Sequence, residues 1–166
     1  MSKRPPFDPY ELLAALDRER VSYVVVGGFR VVHGSGEITR GLDVVPSLRE
    51  ENLRRLGNVL EELDASEPTL AERVAALEPV TAQTRVGELR IVPEPWGTRG
   101  YDDLRIRANR ENLGRGARPA VASVVDCVRM LDASERTPDI ERLVRLRRMM
   151  ELERQLVPSR SLGIER

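Results

Sequence analysis

The chain has 166 residues, 40% of them hydrophobic, which suits one domain with a substantial core. Its 27 basic residues balance its 27 acidic residues, so the overall charge gives no drive towards nucleic acid or an anionic membrane. Cys127 is the single cysteine and His33 the single histidine, which excludes an internal disulfide and a metal site built from several Cys or His ligands.

The first half of the chain predicts alternating helices and strands. An N-cap aspartate, Asp8, followed by Pro9 predicts a helix start. Ser47 with Glu50 has the spacing of a capping box before another helix. The spacing of apolar residues and the positions of glycine and proline predict the following elements in chain order: a helix over 9–19, a strand over 21–26, a short helix over 29–33, a strand over 42–45, a helix over 47–63 and one or two further helical turns over 69–77.

The second half predicts a hairpin followed by helices. Val86 and Gly87 lie at the turn between two strand-like runs. Ser123 has the position of an N-cap. The predicted elements are strands over 80–85 and 88–93, a helix over 101–108, an Arg/Gly/Asn loop over 109–118, a short strand at 120–121 and helices over 123–131 and 137–156.

Together these elements predict an α/β (α+β) fold in which a mixed sheet is flanked by helices. We expect an α/β domain over 9–121 and a C-terminal helical extension over 122–156, with flexible tails at 1–8 and 157–166. The sequence shows no apolar signal-peptide segment and no apolar run of membrane-spanning length. We therefore expect a cytoplasmic protein that does not bind a membrane.

Segments 26–34 and 39–47 carry a resemblance to a known family. A strand ends at Gly27 and Gly28, a short helix follows, and the next strand carries Asp43. This order resembles the minimal nucleotidyltransferase superfamily, and small bacterial AbiEii-like members in particular. Further similar segments follow in the family's order over roughly residues 10–150, at 51–56, 84–91, 100–104 and 136–139.

The resemblance implies a nucleotidyltransferase-like fold and a definite chemistry. Glycines after the first strand let the backbone approach a triphosphate. Two carboxylates at i and i+2 on one strand, with a third on a neighbouring strand, hold two Mg²⁺ ions. Such a site transfers a nucleoside monophosphate from a nucleoside triphosphate to tRNA, a protein or a small molecule, as in toxin–antitoxin pairs and antibiotic-modifying enzymes.

This chain departs from that pattern at two positions. Asp43 matches the second carboxylate and is the only retained metal ligand, but Gly41 stands at the first position and Arg90 at the third. Glu88 shares strand parity with Arg90, so it is a candidate substitute carboxylate. The resemblance assigns phosphate contacts to five residues, namely Gly27, Gly28, Thr39, Arg40 and Arg90.

Arg90 favours a site that has lost catalysis. A guanidinium in place of a metal ligand repels Mg²⁺ and attracts Asp43, so we expect the two side chains to pair across neighbouring strands; alternatively, Arg90 binds a phosphate directly. The sequence then predicts a pseudoenzyme that binds a nucleotide, RNA or a protein partner. The alternatives are an active Mg²⁺-dependent nucleotidyltransferase, or a structural protein that forms a homodimer through its C-terminal helices.

A run of arginines in the second half raises a separate question of RNA binding. These residues could contact phosphates of an RNA backbone, or they could form a solvated loop. The run comprises Arg105, Arg107, Arg110, Arg115 and Arg118.

Overall fold

A computed structural model of the chain describes residues 7–26, 41–134 and residue 148. The helices are α1 (Pro9–Arg18), α2 (Glu50–Glu62), α3 (Leu70–Ala75), α4 (Tyr101–Leu104) and α5 (Val124–Ser134). The strands are β1 (Tyr23–Val26), β2 (Gly41–Pro46), β3 (Val80–Thr84), β4 (Gly87–Ile91), β5 (Asn109–Arg110) and β6 (Ala120–Val121). The short helix predicted over 29–33 and the helix predicted over 137–156 lie outside the described residues, apart from Arg148.

The described strands form one sheet of mixed direction, in the order β3-β4-β2-β1-β6-β5. The pairs β1–β6 and β2–β4 are parallel, and the pairs β1–β2, β3–β4 and β5–β6 are antiparallel. Helices pack on both faces of this sheet. The predicted fold class, a mixed α/β sheet flanked by helices, is confirmed.

The sheet has a large apolar core on one face and a smaller one on the other. Leu42, Val44 and Leu89 belong to the first core, in which α1, α2 and α3 cover the sheet. Val45 and Leu104 belong to the second core, which α4 and α5 cover. Because successive strand residues face opposite sides of the sheet, Gly41, Asp43 and Val45 of β2 all face the α4–α5 side.

Local signals in the sequence set several element boundaries. Asp8 accepts hydrogen bonds from the amides of Tyr10 and Glu11, both at 3.1 Å, and so caps α1 as predicted. The hydroxyl of Ser123 accepts a bond from the amide of Asp126 at 3.0 Å, which confirms the predicted start of α5. The β3–β4 hairpin is also confirmed, but its turn lies at Arg85 and Val86, one residue earlier than predicted, and Gly87 begins β4 with a φ of +121°.

The capping box predicted at Ser47 does not form. Helix α2 begins only at Glu50, and Arg49 occupies the N-cap position without a side-chain hydrogen bond. The buried side chain of Asn52 bonds instead to the amide of Ser22 at 2.7 Å and to the carbonyl of Ser47 at 2.8 Å. The backbone of Ser47 is thus held in a connection between β1, β2 and α2.

Several other boundaries also differ from the prediction; β4, for example, ends at Ile91 rather than at Pro93. Strand β1 starts at Tyr23 rather than at Val21, because the Val21 amide donates to the Leu16 carbonyl at 3.0 Å and closes the end of α1. Helix α4 ends at Leu104, four residues before the predicted end, and the predicted loop over 109–118 contributes the short strand β5. Within the described residues, no helix combines the length and apolar character needed to cross a membrane.

Candidate functional site

Strands β2 and β4 place the candidate site residues side by side. The two strands are parallel, and their register sets Gly41 opposite Glu88 and Asp43 opposite Arg90. Gly41 and Asp43 are two residues apart, as are Glu88 and Arg90, so all four positions share one face of the sheet. Helices α4 and α5 pack on the same face of the sheet, but they do not cover these four positions.

Arg90 lies between two carboxylates. Its Nη1 is 3.6 Å from Oδ2 of Asp43, and its Nη2 is 3.5 Å from Oε2 of Glu88. The side chains of Arg90, Asp43 and Glu88 are 47%, 24% and 32% exposed, so the cluster is open to solvent. The pairing of Arg90 with Asp43 expected from the sequence is therefore present, and Glu88 joins it.

Glu88 fills the space beside Gly41. A Cβ atom added at Gly41 would lie 3.1 Å from the Glu88 carbonyl oxygen, 3.2 Å from its Cβ and 3.3 Å from its Oε2. The carboxylate of Glu88 thus lies next to the point from which a carboxylate at position 41 would extend. The side chain of Gln83 on β3 donates a hydrogen bond to Oε1 of Glu88 at 2.8 Å and helps to hold it there.

Gln83 was not singled out by the sequence analysis. It lies directly opposite Glu88 in the antiparallel β3–β4 pair. The turn predicted at Val86 and Gly87 would have set Arg85 opposite Glu88. The observed turn lies at Arg85 and Val86 and sets Gln83 there, so this neighbour could not be read from the sequence.

The described residues on this face do not fit two Mg²⁺ ions. The described residues supply two carboxylates, Asp43 and Glu88, with the Arg90 guanidinium between them. A two-metal site needs several carboxylates that converge without a competing cation. In the described part of the chain, no group of three or more His, Cys, Asp or Glu residues is arranged to hold a metal ion.

The other predicted phosphate-binding residues lie outside the described part of the chain. Gly27, Gly28, Thr39 and Arg40 all fall within 27–40. The structure therefore does not test their roles, which remain predictions, as do an RNA partner, a protein partner and a homodimer.

The arginine run of the second half is spread over separate contacts. Arg105 pairs with Asp102 at 3.5 Å, and Arg107 pairs with Asp126 at 3.4 Å. Arg110 donates to the carbonyl of Arg118 at 3.1 Å, while the Arg115 guanidinium lies 4.7 Å from the centre of the Tyr10 ring. All five arginines are nevertheless exposed, so an RNA contact and a solvated loop both stay predictions.

A second charged cluster joins α4, α5 and the loop before α4. Arg129 donates to Asp103 and Asp126, at 2.5 and 2.9 Å, and to the Gly97 carbonyl at 2.8 Å. Hydrogen bonds from Arg129 and from the Arg99 amide lower the pKa of Asp103. Asp126 is fully buried, and its Oδ2 has no hydrogen-bond partner among the described residues. This cluster therefore holds α5 against the second core.

The sheet order and the helix packing on both faces match a nucleotidyltransferase-like fold. No family model and no curated protein matches the sequence. Among solved structures, the chain is similar to the solution structure of the antibiotic-resistance factor ANT(2'')-Ia, an aminoglycoside nucleotidyltransferase, with a TM-score of 0.56 and 18% identity over 95% of this chain and 92% of that one.

A second similar structure is the crystal structure of ANT(2'')-Ia in complex with adenylyl-2''-tobramycin. The TM-score is 0.55 and the identity is 17%, over 92% of this chain and 96% of that one. At this level of identity the likeness establishes the fold, and the chemistry has to be argued from the residues of this chain.

Proposed function

We propose that the protein is a nucleotidyltransferase-fold module that binds the phosphates of a nucleotide through Arg90, without Mg²⁺ and without transferring a nucleoside monophosphate. The observation that carries this proposal is the position of Arg90 between Asp43 and Glu88, at 3.6 and 3.5 Å. The Arg90 guanidinium is a permanent positive charge between these two carboxylates, at the place that a bound metal cation would otherwise take.

The guanidinium of Arg90 has the capacity to bind a phosphate while it remains paired. A guanidinium carries five N–H donors, and the two ion pairs leave some of them unused. The side chain is 47% exposed, so a ligand can reach it from solvent. Arginine also matches phosphate oxygens bidentately, which a lysine at this position would not do.

Arg90 cannot balance a triphosphate alone, because Asp43 and Glu88 outnumber it in charge. The proposal therefore requires further donors close to the end of β1. Gly27 and Gly28 supply backbone amides in the family pattern, and Thr39 and Arg40 supply a hydroxyl and a second guanidinium. These four assignments rest on the resemblance in sequence.

A second candidate function is an active nucleotidyltransferase. The observation that favours it is the Glu88 carboxylate, which lies beside Gly41 and so supplies a second carboxylate near Asp43. Arg90 would then have to move aside to admit Mg²⁺. The similar crystal structure is a complex with adenylyl-2''-tobramycin, so an aminoglycoside is the acceptor to test first.

Calorimetric titration with ATP, GTP, CTP and UTP separates the two candidates. Each nucleotide is titrated first in EDTA and then in excess Mg²⁺. Binding in EDTA supports the metal-independent module. Binding that appears only with Mg²⁺ supports the active enzyme and contradicts our proposal, as does the release of pyrophosphate in the presence of an aminoglycoside.

A further inference from the structure

A polar cavity, separate from the site on β2 and β4, lies at the end of β1 that is opposite to Asp43. We call it the basal pocket; its volume is about 310 Å³, and its charged and aromatic lining consists of Asp17, Arg20, Tyr23, Tyr101, Arg105 and Arg110. Tyr23 pairs with Pro46 across β1 and β2, whereas Val26 pairs with Asp43. Three residues of strand separate the two places, a distance of about 10 Å at roughly 3.3 Å per residue.

The lining of the basal pocket is strongly basic. Three arginines face one carboxylate, that of Asp17. Of these arginines, Arg20 and Arg110 form no ion pair with any described residue, and Arg105 pairs only with Asp102, at 3.5 Å. The Arg105 and Asp102 side chains are 60% and 90% exposed, so water screens this pair and Arg105 can exchange it for another anion at little cost.

The one carboxylate of the pocket is engaged by Tyr23. The tyrosine hydroxyl donates to Oδ1 of Asp17 at 3.2 Å, and the residue is only 7% exposed. Burial, reinforced by the Asp17 charge, raises the pKa of Tyr23, while Arg110 acts in the opposite direction. The hydroxyl therefore stays protonated at physiological pH, so Tyr23 adds no negative charge to the cavity.

We propose that the basal pocket binds the phosphate group of a small phosphorylated molecule, held by the guanidinium groups of Arg20, Arg105 and Arg110. The positive charges of these three arginines repel each other across the cavity, and an anion bound between them reduces that repulsion. Guanidinium groups match phosphate oxygens in geometry and form strong charge-assisted hydrogen bonds with them. A volume of about 310 Å³ is at the small end of ligand pockets, which run from roughly 300 to 1,000 Å³.

Calorimetric titration of the full chain with pyrophosphate in EDTA tests the proposal. We expect Arg110→Gln and Arg105→Gln each to weaken pyrophosphate binding about tenfold or more, because each removes a charged hydrogen bond. The matched control is Arg54→Gln, the same charge change at an exposed residue of α2 that does not line the pocket. Equal binding by Arg110→Gln and Arg54→Gln would overturn the proposal.

Arg90→Gln separates this site from the one on β2 and β4. The basal pocket does not include Arg90, so we expect its pyrophosphate affinity to survive this change. If Arg90→Gln removes pyrophosphate binding completely while Arg110→Gln leaves it unchanged, the only anion site is the one already described and the basal pocket is not a ligand site.

A glycine substitution at Arg20 tests the pocket without destabilising the fold. Its φ is +57°, in the left-handed region, at the end of α1 where glycine is usually favoured. Arg20→Gly removes the guanidinium and relieves the backbone, so we expect an unchanged or higher Tm with about tenfold weaker pyrophosphate binding. An unchanged affinity in Arg20→Gly would contradict a role for this side chain.

The source of the phosphate is tested by competition. We expect a small phosphate monoester, such as glycerol 3-phosphate, to displace pyrophosphate from the wild-type protein but to have no effect in Arg110→Gln. The opposite outcome is that neither pyrophosphate nor the monoester binds, while a single-stranded RNA oligonucleotide binds the wild type and not Arg110→Gln. That result would show that the pocket binds an RNA backbone and would overturn the small-ligand proposal.

Discussion

Arg90 and Asp43 face each other directly across the parallel β2–β4 pair, with Nη1 of Arg90 at 3.6 Å from Oδ2 of Asp43. The arginine side chain is 47% exposed, so this ion pair stabilises the fold by no more than about 1 kcal/mol. Arg90 can therefore exchange its contact with Asp43 for hydrogen bonds to a ligand with little loss of folding stability. A change in ligand binding on its removal can be interpreted without a large change in folding.

Gly41 is predicted to tolerate a side chain poorly. Because an added Cβ would contact Glu88 at 3.1–3.3 Å, Gly41→Ala should lower the free energy of unfolding by about 1 kcal/mol. The control is Gly57→Ala in α2, where nothing lies within 4 Å of the added atom, and which should raise stability by about 0.5–1 kcal/mol. Urea denaturation measures both values, and a stabilising Gly41→Ala would contradict the contact.

The double variant Gly41→Asp with Arg90→Asp tests the correspondence with the nucleotidyltransferase pattern. It restores both missing carboxylates beside Asp43 and removes the competing guanidinium. We expect a gain in Mn²⁺ and Mg²⁺ affinity, measured by calorimetry, provided that Glu88 shifts by the few tenths of an ångström that a side chain at 41 requires. No gain in affinity would show that these positions do not form the family's metal site.

Arg129 is predicted to stabilise the α4–α5 side of the sheet. Removing it leaves the fully buried Asp126 with Arg107 alone, at 3.4 Å. Arg129→Gln should therefore lower the free energy of unfolding at pH 7 by about 3 kcal/mol, as expected when one partner of a buried charge pair is lost. Arg54→Gln, which breaks an exposed pair with Glu51, should have little effect in the same urea denaturation. Equal effects would contradict this role.

Asp103 should contribute to the acid dependence of stability. Its pKa in the folded state is lowered by Arg129 and by the Arg99 amide, so its contribution is fully present above the unfolded carboxyl pKa of about 3.9. That contribution is lost as the pH falls from there through the folded-state pKa. Unfolding measured between pH 7 and pH 2.5 should show a shallower loss of stability in Asp103→Asn than in the wild type; identical slopes would contradict this assignment.

The sequence predicted those features that depend on neighbouring residues. Asp8 caps α1, Ser123 caps α5 and the β3–β4 hairpin forms, because each signal acts within a few residues; the turn itself lies at Arg85 and Val86, one residue earlier than predicted. The capping box at Ser47 did not form, since the competing bonds from Asn52 join segments that are distant in sequence. Local capping signals lose to such tertiary contacts when a buried amide needs partners.

The candidate site was predictable only in part, for the same reason. Strand alternation placed Glu88 and Arg90 on one face, and the family resemblance placed Arg90 near Asp43. The contact of Glu88 with Gly41 depends on the β2–β4 register, which tertiary packing sets. The basal pocket was not predictable, because Arg20 and Arg110 are brought together only when β6 joins β1 in the sheet.

The affinity for ATP in EDTA, compared between the wild type and Arg90→Gln, tests the central claim most directly. Our account predicts that the wild type binds ATP without metal and that Arg90→Gln weakens this binding about tenfold or more, because a charged hydrogen bond to phosphate is lost. Arg54→Gln is the control for the change in net charge and should bind as the wild type does. ATP binding that requires Mg²⁺ and becomes tighter in Arg90→Gln would contradict the account.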